Sequence, residues 1–243
     1  MRGGNAAERA KLGLRLSLHR AGVSIGRDPY VNRVARLLEH RGISTVLDVG
    51  ANVGQFARMI RGAGFSGDIM SFEPLSDAYR RLSRRSRRDD RWQAFNLAVG
   101  AERGSSTIHV SDNSYSSSLL TMTDRHLEAA PGSEVVGHQD VEVTTVSQVV
   151  EDHGIDPSRT FLKVDTQGFE RAVIAGAGPL IDDLAAVQLE LSFVELYEGQ
   201  ELFDEGVETM RKHGLDLWII EPGISDASGR LLQCDGLFAR QET

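Results

Sequence analysis

Two groups of polar residues hold most of the chemistry this chain can offer. The first begins in Thr45-Val46-Leu47-Asp48-Val49-Gly50-Ala51-Asn52-Val53-Gly54-Gln55-Phe56, where a short apolar run passes through a glycine-punctuated turn into helical sequence. Asp48 stands near the end of that run, and Glu73 closes the next one, Ile69-Met70-Ser71-Phe72-Glu73-Pro74. Acids and close-approach glycines at successive strand ends suit a nucleotide-type ligand at the carboxyl edge of a parallel sheet. Glu73 follows Asp48 at close to the roughly 20-residue interval at which an acid accepts hydrogen bonds from ribose hydroxyls. Asn96 and Ala98, in Asn96-Leu97-Ala98-Val99-Gly100, supply a third strand end. The glycine spacing restricts the ligand. A dinucleotide fingerprint needs glycines at its first, third and sixth positions, and counting from Gly50 those places hold Asn52 and Gln55. A phosphate loop ending in Gly-Lys-Ser/Thr is absent too. What remains is a loop with two glycines for close approach, Gly50 and Gly54, and Asn52 at a place that tolerates left-handed backbone.

The second group lies in Thr160-Phe161-Leu162-Lys163-Val164-Asp165-Thr166-Gln167-Gly168-Phe169-Glu170. Strand alternation puts Phe161, Lys163 and Asp165 on one face. A lysine inside an apolar central strand is unfavourable unless it is paired. Lys163 and Asp165 are therefore expected to form a charge cluster with Glu190 of a neighbouring strand, on which Gln188, Glu190 and Ser192 share a face.

These residues need a framework of alternating strands and helices, and the chain supplies one. Residues 1–28 read as basic and helical, with Leu12, Leu14, Leu16 and Leu18 among Arg9, Lys11, Arg15 and Arg20. That segment is expected to be a lid or packing helix, or a peripheral membrane contact. Asp28 can cap a helix that starts at Pro29 and runs to about His40. Strand 45–50 then leads to helix 54–63, strand 68–73 to a helix at about 76–88, and strand 92–99 follows. An insertion at about 104–145 carries two β-like runs, 106–110 and 141–145, around a Ser/Thr-rich loop. After it come helix 146–153, strand 160–165, helix 169–177, strand 185–193, helix 203–213, strand 215–221 and strand 231–239. Seven strands with a closing hairpin predict an α/β, doubly wound, mostly parallel sheet with one antiparallel strand. The expected division is an N-terminal helical extension over 1–43 and a catalytic domain over 44–243.

A loop with Asp two residues before a Gly, and a second Gly four further on, resembles the S-adenosylmethionine loop of Rossmann-like class I methyltransferases. The whole set VLDVGANVGQFA, SFEP, NLAVG, SSSL, LKVDTQGFERAVIAGA and LELSF, in this order, resembles the FkbM-type family of those enzymes. The resemblance spans about residues 44–240, and Leu162 to Ala177 is its most specific part. It implies S-adenosylmethionine held by Asp48, Gly50, Asn52, Gly54, Glu73, Asn96 and Ala98. Asp48 would order the loop and receive the amino group of the methionine moiety, or serve only as a turn-former. The family commonly shows Asp-Val-Glu-Gly-x-Glu where this chain has Asp165-Thr166-Gln167-Gly168-Phe169-Glu170, so a middle carboxylate is missing. The resemblance also implies O-methylation of a hydroxyl on a sugar, glycolipid or polyketide-like product, as in actinobacterial glycolipids bearing rhamnose or fucose.

On that reading Asp165 is the candidate general base and Lys163 its partner, unless Lys163 is a buried structural ion. Glu190 and Glu170 could bond substrate, and Glu170 serves equally as a first-turn helix acid. Asp165, Glu190 and Asp235 could hold Mg²⁺, although their spacing is not diagnostic. His126 and His138, in the insertion, could close over the site but read first as surface histidines. Ser114 to Leu119 is expected near the cofactor or acceptor, and Trp92 and Trp218 in or beside strands. The six arginines from Arg80 to Arg88 read as a solvated helix face, with an anionic surface as the alternative.

Composition limits the remaining classes. A net charge of −8 opposes a nucleic-acid binder that works by phosphate neutralisation. One cysteine, Cys234, cannot form an internal disulfide and is expected in the core of a cytoplasmic protein. No apolar run reaches the length of a membrane span, and residues 1–20 lack a secretory h-region. Two alternatives stay open: a nicotinamide oxidoreductase, which the glycine spacing and the closing hairpin oppose, and a non-catalytic S-adenosylmethionine-binding module.

Overall fold

The computed structural model describes residues 29–112, 117–129 and 132–241. The N-terminal segment 1–28, with the Asp28 cap and the membrane contact expected there, lies outside the described residues. So do Ser114, Tyr115 and Ser116.

Apolar, β-branched runs form the strands of a central sheet. They are β1 (Thr45–Val49), β2 (Asp68–Phe72), β3 (Trp92–Phe95), β7 (Thr160–Val164), β8 (Ala186–Ser192), β9 (Leu215–Pro222) and β10 (Gln233–Arg240). Their order is β3-β2-β1-β7-β8-β10-β9, and β10 runs antiparallel to both neighbours. The chain leaves β1 towards β2 and β3, then returns to lay β7 on the other side of β1, with Asp48 opposite Lys163. Outside the carboxyl ends of two strands that part in this way, a crevice opens.

Helices cover both faces. On one, α1 (Pro29–His40), α2 (Gln55–Gly62) and α3 (Ser76–Ser86) bury Tyr30, Val34, Leu37, Ile60 and Leu82 against Val46, Ile69, Phe161 and Leu237. On the other, α5 (Val146–His153), α6 (Glu170–Ala177) and α7 (Phe203–Lys212) bury Val149, Val173, Ile174 and Met210 against Leu47, Phe72, Leu162, Val164 and Leu189. Alternation along β1 and β7 therefore directs Asp48 and Lys163 towards α2. Thr145 caps α5 by accepting the Gln148 N–H at 3.1 Å. Cys234 is buried in the core of β10. Trp92 is buried, whereas Trp218 is 45% exposed on the edge strand with the Arg41 guanidinium 4.6 Å over its ring. Of the six arginines on or after α3, Arg85 donates to the Val53 carbonyl and Arg80 pairs with Asp77; all but Arg85 are exposed.

The strand expected over 92–99 is broken. Asn96 Nδ2 donates to the carbonyls of Glu73 at 2.9 Å and Pro74 at 2.8 Å, which pins a corner. Beyond the corner β4 (Ala98–Val99) leaves the central sheet and joins β5 (Gly104–Ser111) and β6 (Val135–Thr144) in a second sheet ordered β4-β6-β5. The two β-like runs of the insertion are thus longer than expected and pair with each other. Between them lies α4 (Asp124–Ala129), a short helix whose polar sequence carries no helical periodicity.

Candidate active site

A cavity of about 290 Å³ lies at the carboxyl ends of β1, β2, β7 and β8, between the central sheet and the small one. Six of the expected site residues line it: Gly50, Asn52, Glu73, Ala98, Asp165 and Glu190. Asp48, Gly54, Asn96 and Lys163 are not among the lining residues, and each has an identifiable position behind the wall.

Gly50 forms part of the floor where β1 meets β7. Its φ is +71°, and a Cβ there would stand 1.8 Å from the Asp165 carbonyl oxygen. Asn52 follows in the left-handed region at φ 48°, which turns its N–H onto Glu73 Oε2 at 2.8 Å. Glu73 Oε1 accepts the N–H of Leu75 at 2.8 Å. Burial pushes the Glu73 carboxyl up to about 7 against the pull of those two N–H groups. Each oxygen keeps a lone pair for a further donor. Gly54 departs from its expected role. A Cβ there would meet the Trp92 ring at 2.7 Å, so its smallness serves packing rather than a ligand. Asn96 braces the corner described above.

Beneath the floor runs a buried polar chain. Trp92 Nε1 donates to Ser71 Oγ at 2.9 Å, and Ser71 Oγ donates to Asp48 Oδ2 at 3.0 Å. Asp48 Oδ1 faces Lys163 Nζ at 3.4 Å, and the ammonium also meets Asp165 Oδ2 at 3.1 Å and donates to the Gly50 carbonyl at 3.2 Å. The ammonium is thus ringed by three oxygens, of which Asp48 Oδ1 is held by charge and not by a formed hydrogen bond, and the Phe56 ring lies 5.8 Å away. Burial alone would lower the Lys163 pKa, but attraction to Asp165 and Asp48 outweighs it and the net shift is upward. Burial raises Asp48, opposed by Lys163 and by the Ser71 bond. This cluster fits a clamp that joins the glycine loop to the end of β7.

Three further groups complete the site: Gln167, noted in the sequence only as a missing carboxylate, Ser118, from the loop expected near the cofactor or acceptor, and Tyr197, which the sequence reading passed over. Gln167, at φ 56°, donates through Nε2 to Asp165 Oδ1 at 3.0 Å and to Glu190 Oε2 at 2.7 Å. Tyr197 donates its hydroxyl to Gln167 Oε1 at 2.8 Å, and its ring is fully buried. Ser118, from the insertion, donates to the Gln167 carbonyl at 2.6 Å. Burial drives Glu190 well above the usual carboxylate range, and Asp165, Glu170 and Asp235 add to the rise. Glu170 accepts the Thr166 N–H at 2.8 Å as the first residue of α6, outside the cavity lining. The reading of His126 as a surface residue is corrected: it is 1% exposed, packed 5.0 Å from the Tyr197 ring, and desolvation lowers its pKa. His138 is exposed and faces His109 at 4.9 Å across β5 and β6. Gln167 was visible in the sequence as the amide in place of the family's middle carboxylate, although its bonding was not. Tyr197 and His126 carried no such signal.

The Mg²⁺ expectation lacks a ligand set. Among the described residues no three His, Cys, Asp or Glu side chains converge as a metal-holding group. The amide of Gln167 stands between Asp165 and Glu190, and Asp235 is bonded to Gln188.

Strand order, the antiparallel β10 and the crevice between β1 and β7 define a Rossmann-like class I methyltransferase fold. The methyltransferase FkbM domain matches residues 48–217, and the chain belongs to that family. A curated relative, the 2-O-methyltransferase NoeI of Sinorhizobium fredii, is 27% identical over 161 residues, 64% of this chain and 66% of the relative. The methyltransferase FkbM structure from Methylobacillus flagellatus is 15% identical and covers 81% of this chain and 43% of its own, with a TM-score of 0.48. Magnesium protoporphyrin IX methyltransferase from Synechocystis, solved with bound S-adenosylmethionine, is 12% identical over 98% of this chain and 100% of its own, with a TM-score of 0.46.

Proposed function

We propose that the chain is an S-adenosylmethionine-dependent O-methyltransferase that acts on a hydroxyl of a sugar, glycolipid or related natural product. The observation that carries this reading is one cavity with two chemically distinct ends. At one end Glu73, beside Asn52, offers a carboxylate suited to a ribose diol; at the other, Asp165 and Glu190 converge, with Gly50 on the floor against Asp165. The fit at the first end rests on the apolar wall of Leu75 and Leu97 and the spare lone pairs of Glu73.

When bound, the cofactor supplies an electrophilic methyl group on a sulfonium, which passes to the acceptor oxygen while the carbon–sulfur electron pair stays with sulfur. The chain's own part is alignment and proton removal. Asp165, held by Lys163 and Gln167 on its two oxygens, accepts the proton of the attacking hydroxyl and later releases it to water. Lys163 acts through Asp165 and the Gly50 carbonyl, so its role is positioning. Asp48 anchors Lys163 from below, and Asn96 and Gly54 hold the wall that carries Glu73 and Asn52.

The acceptor is read as a neutral hydroxyl compound because the cavity presents carboxylates and neither lysine nor arginine is among its lining residues. The name of the NoeI relative agrees with an oxygen acceptor. A cytoplasmic site of action is supported by the single cysteine, free and buried. Among the described residues no helix is long and apolar enough to cross a membrane.

Calorimetry with S-adenosylhomocysteine and with NAD tests the proposal. Binding of S-adenosylhomocysteine in the micromolar range, with none for NAD, is expected. Binding of NAD alone would overturn it in favour of an oxidoreductase.

A further inference from the structure

We propose that Gln167 is a positioning residue that fixes which oxygens Asp165 and Glu190 turn to the substrate, Asp165 as hydrogen-bond acceptor and Glu190 as donor through its free Oε1, so that the cavity takes two adjacent hydroxyls of a neutral polyol. This rests on the methyltransferase reading and names its substrate class.

A glutamine amide has two unlike ends, and here both are committed. Both Nε2 hydrogens go to carboxylates, Asp165 at 3.0 Å and Glu190 at 2.7 Å, while Oε1 accepts from Tyr197 at 2.8 Å. A flipped amide would aim its oxygen at two carboxyl oxygens, so this orientation is the favourable one. The backbone is held as firmly: Ser118 bonds the Gln167 carbonyl, and a Cβ on Gly168 would lie 2.9 Å from Tyr197 Cβ.

The two acids are then inequivalent. Asp165 has Lys163 on Oδ2 and Gln167 on Oδ1, so both of its oxygens already act as acceptors. Glu190 has the Gln167 amide, and it faces Asp165, Glu170 of α6 and Asp235 of β10. The other titratable groups around the pair are Lys163 and Asp48 below, Cys234 of β10, Tyr197, and His126 of α4 behind that ring. Burial first, and then that acidic company, hold the proton on Glu190 against the Gln167 amide, which favours the carboxylate. Because Oε2 accepts from Gln167, the proton belongs on Oε1, and Glu190 lines the cavity. A donor beside an acceptor matches two neighbouring hydroxyls: one gives its proton to Asp165 and is methylated, the other accepts from Glu190.

Carbon-13 titration of labelled Asp and Glu carboxyls, in the full chain with S-adenosylhomocysteine, gives a test that needs no acceptor. In wild type Glu190 should titrate well above the usual carboxylate range. Gln167→Met should move that titration, while S-adenosylhomocysteine affinity stays within about threefold. Methyl pyranosides and their monodeoxy counterparts, offered with radiolabelled methyl donor, probe the acceptor. Loss of the hydroxyl next to the methylated one should lower kcat/KM at least tenfold. Glu190→Gln, which keeps a donor, should retain most activity and lose the pH limb, whereas Glu190→Ala should fall about a hundredfold. An unchanged Glu190 titration in Gln167→Met would overturn the positioning role. Equal rates on deoxy and parent glycosides, or no transfer to any glycoside, would overturn the diol. Absence of S-adenosylhomocysteine binding would instead count against the methyltransferase reading itself.

Discussion

Glu73 ties ligand affinity to pH. Its carboxyl is buried, accepts two backbone N–H groups and titrates at about 7. A ribose diol donates to the ionised form, so S-adenosylhomocysteine should bind more tightly as pH rises through about 7. Below that point affinity should weaken, by up to roughly tenfold per pH unit. Glu73→Gln should flatten that dependence and weaken binding by about 1.5–3 kcal/mol, the range for a hydrogen bond to a charged group. Calorimetry at pH 6 and pH 8 reads both effects. For Asp165→Asn the expected signature differs: cofactor affinity is kept, and single-turnover methyl transfer falls by about 10²–10⁴. A near-normal rate at saturating cofactor would remove Asp165 as the base. At this scale much was legible beforehand, because Asp48, Glu73, Asp165 and Glu190 are acids at ends of apolar runs. Which of them touch the cavity was not legible. Asp48 and Lys163 share a sheet face with Phe161, and only the packing of α2 over that face puts them beneath the floor.

Between elements, the decisive junction is that of β1 with β7. Lys163 bridges the strands through Asp48, Asp165 and the Gly50 carbonyl. Lys163→Met would leave Asp48 buried beside no cation and should destabilise the chain by about 3–5 kcal/mol. Adding Asp48→Asn should recover much of that loss, and urea unfolding of the two singles and the double measures the coupling. Gly50→Ala would force a methyl onto the Asp165 carbonyl at a left-handed φ. A loss on the order of 4 kcal/mol, together with loss of S-adenosylhomocysteine binding, is expected. The strands and helices of the central sheet were readable because each buries a periodic apolar face. The small sheet was only half readable. The β3 strand reads as continuous with β4 by composition, and a side chain hydrogen bond from Asn96 breaks it. The α4 helix is short and polar, and its one deeply buried described side chain is a histidine.

For the molecule as a whole, the buried acids set how stability responds to pH. Glu73 and Glu170 titrate at about 7 and Asp235 at about 6, all raised above their unfolded values, chiefly by burial. The folded chain therefore binds protons more readily than the unfolded one between about pH 4 and 7, and stability should fall as pH rises across that window. Asp68, Asp89 and Asp226 have the opposite shift, chiefly from hydrogen bonds with Arg91, Arg61 and Ser228, and their contribution is lost only in stronger acid. The free protein should thus melt higher at pH 5.5 than at pH 7.5, with a shallower slope in Glu73→Gln. The corner at Asn96 has an architectural consequence. From there the chain builds a separate small sheet, returns to the central fold at Thr145, and contributes Ser117, Ser118 and Leu119 to one side of the cavity. Grafting residues 104–144 from another family member, with Ala98 left in place, should exchange acceptor preference while keeping the affinity for the methyl donor.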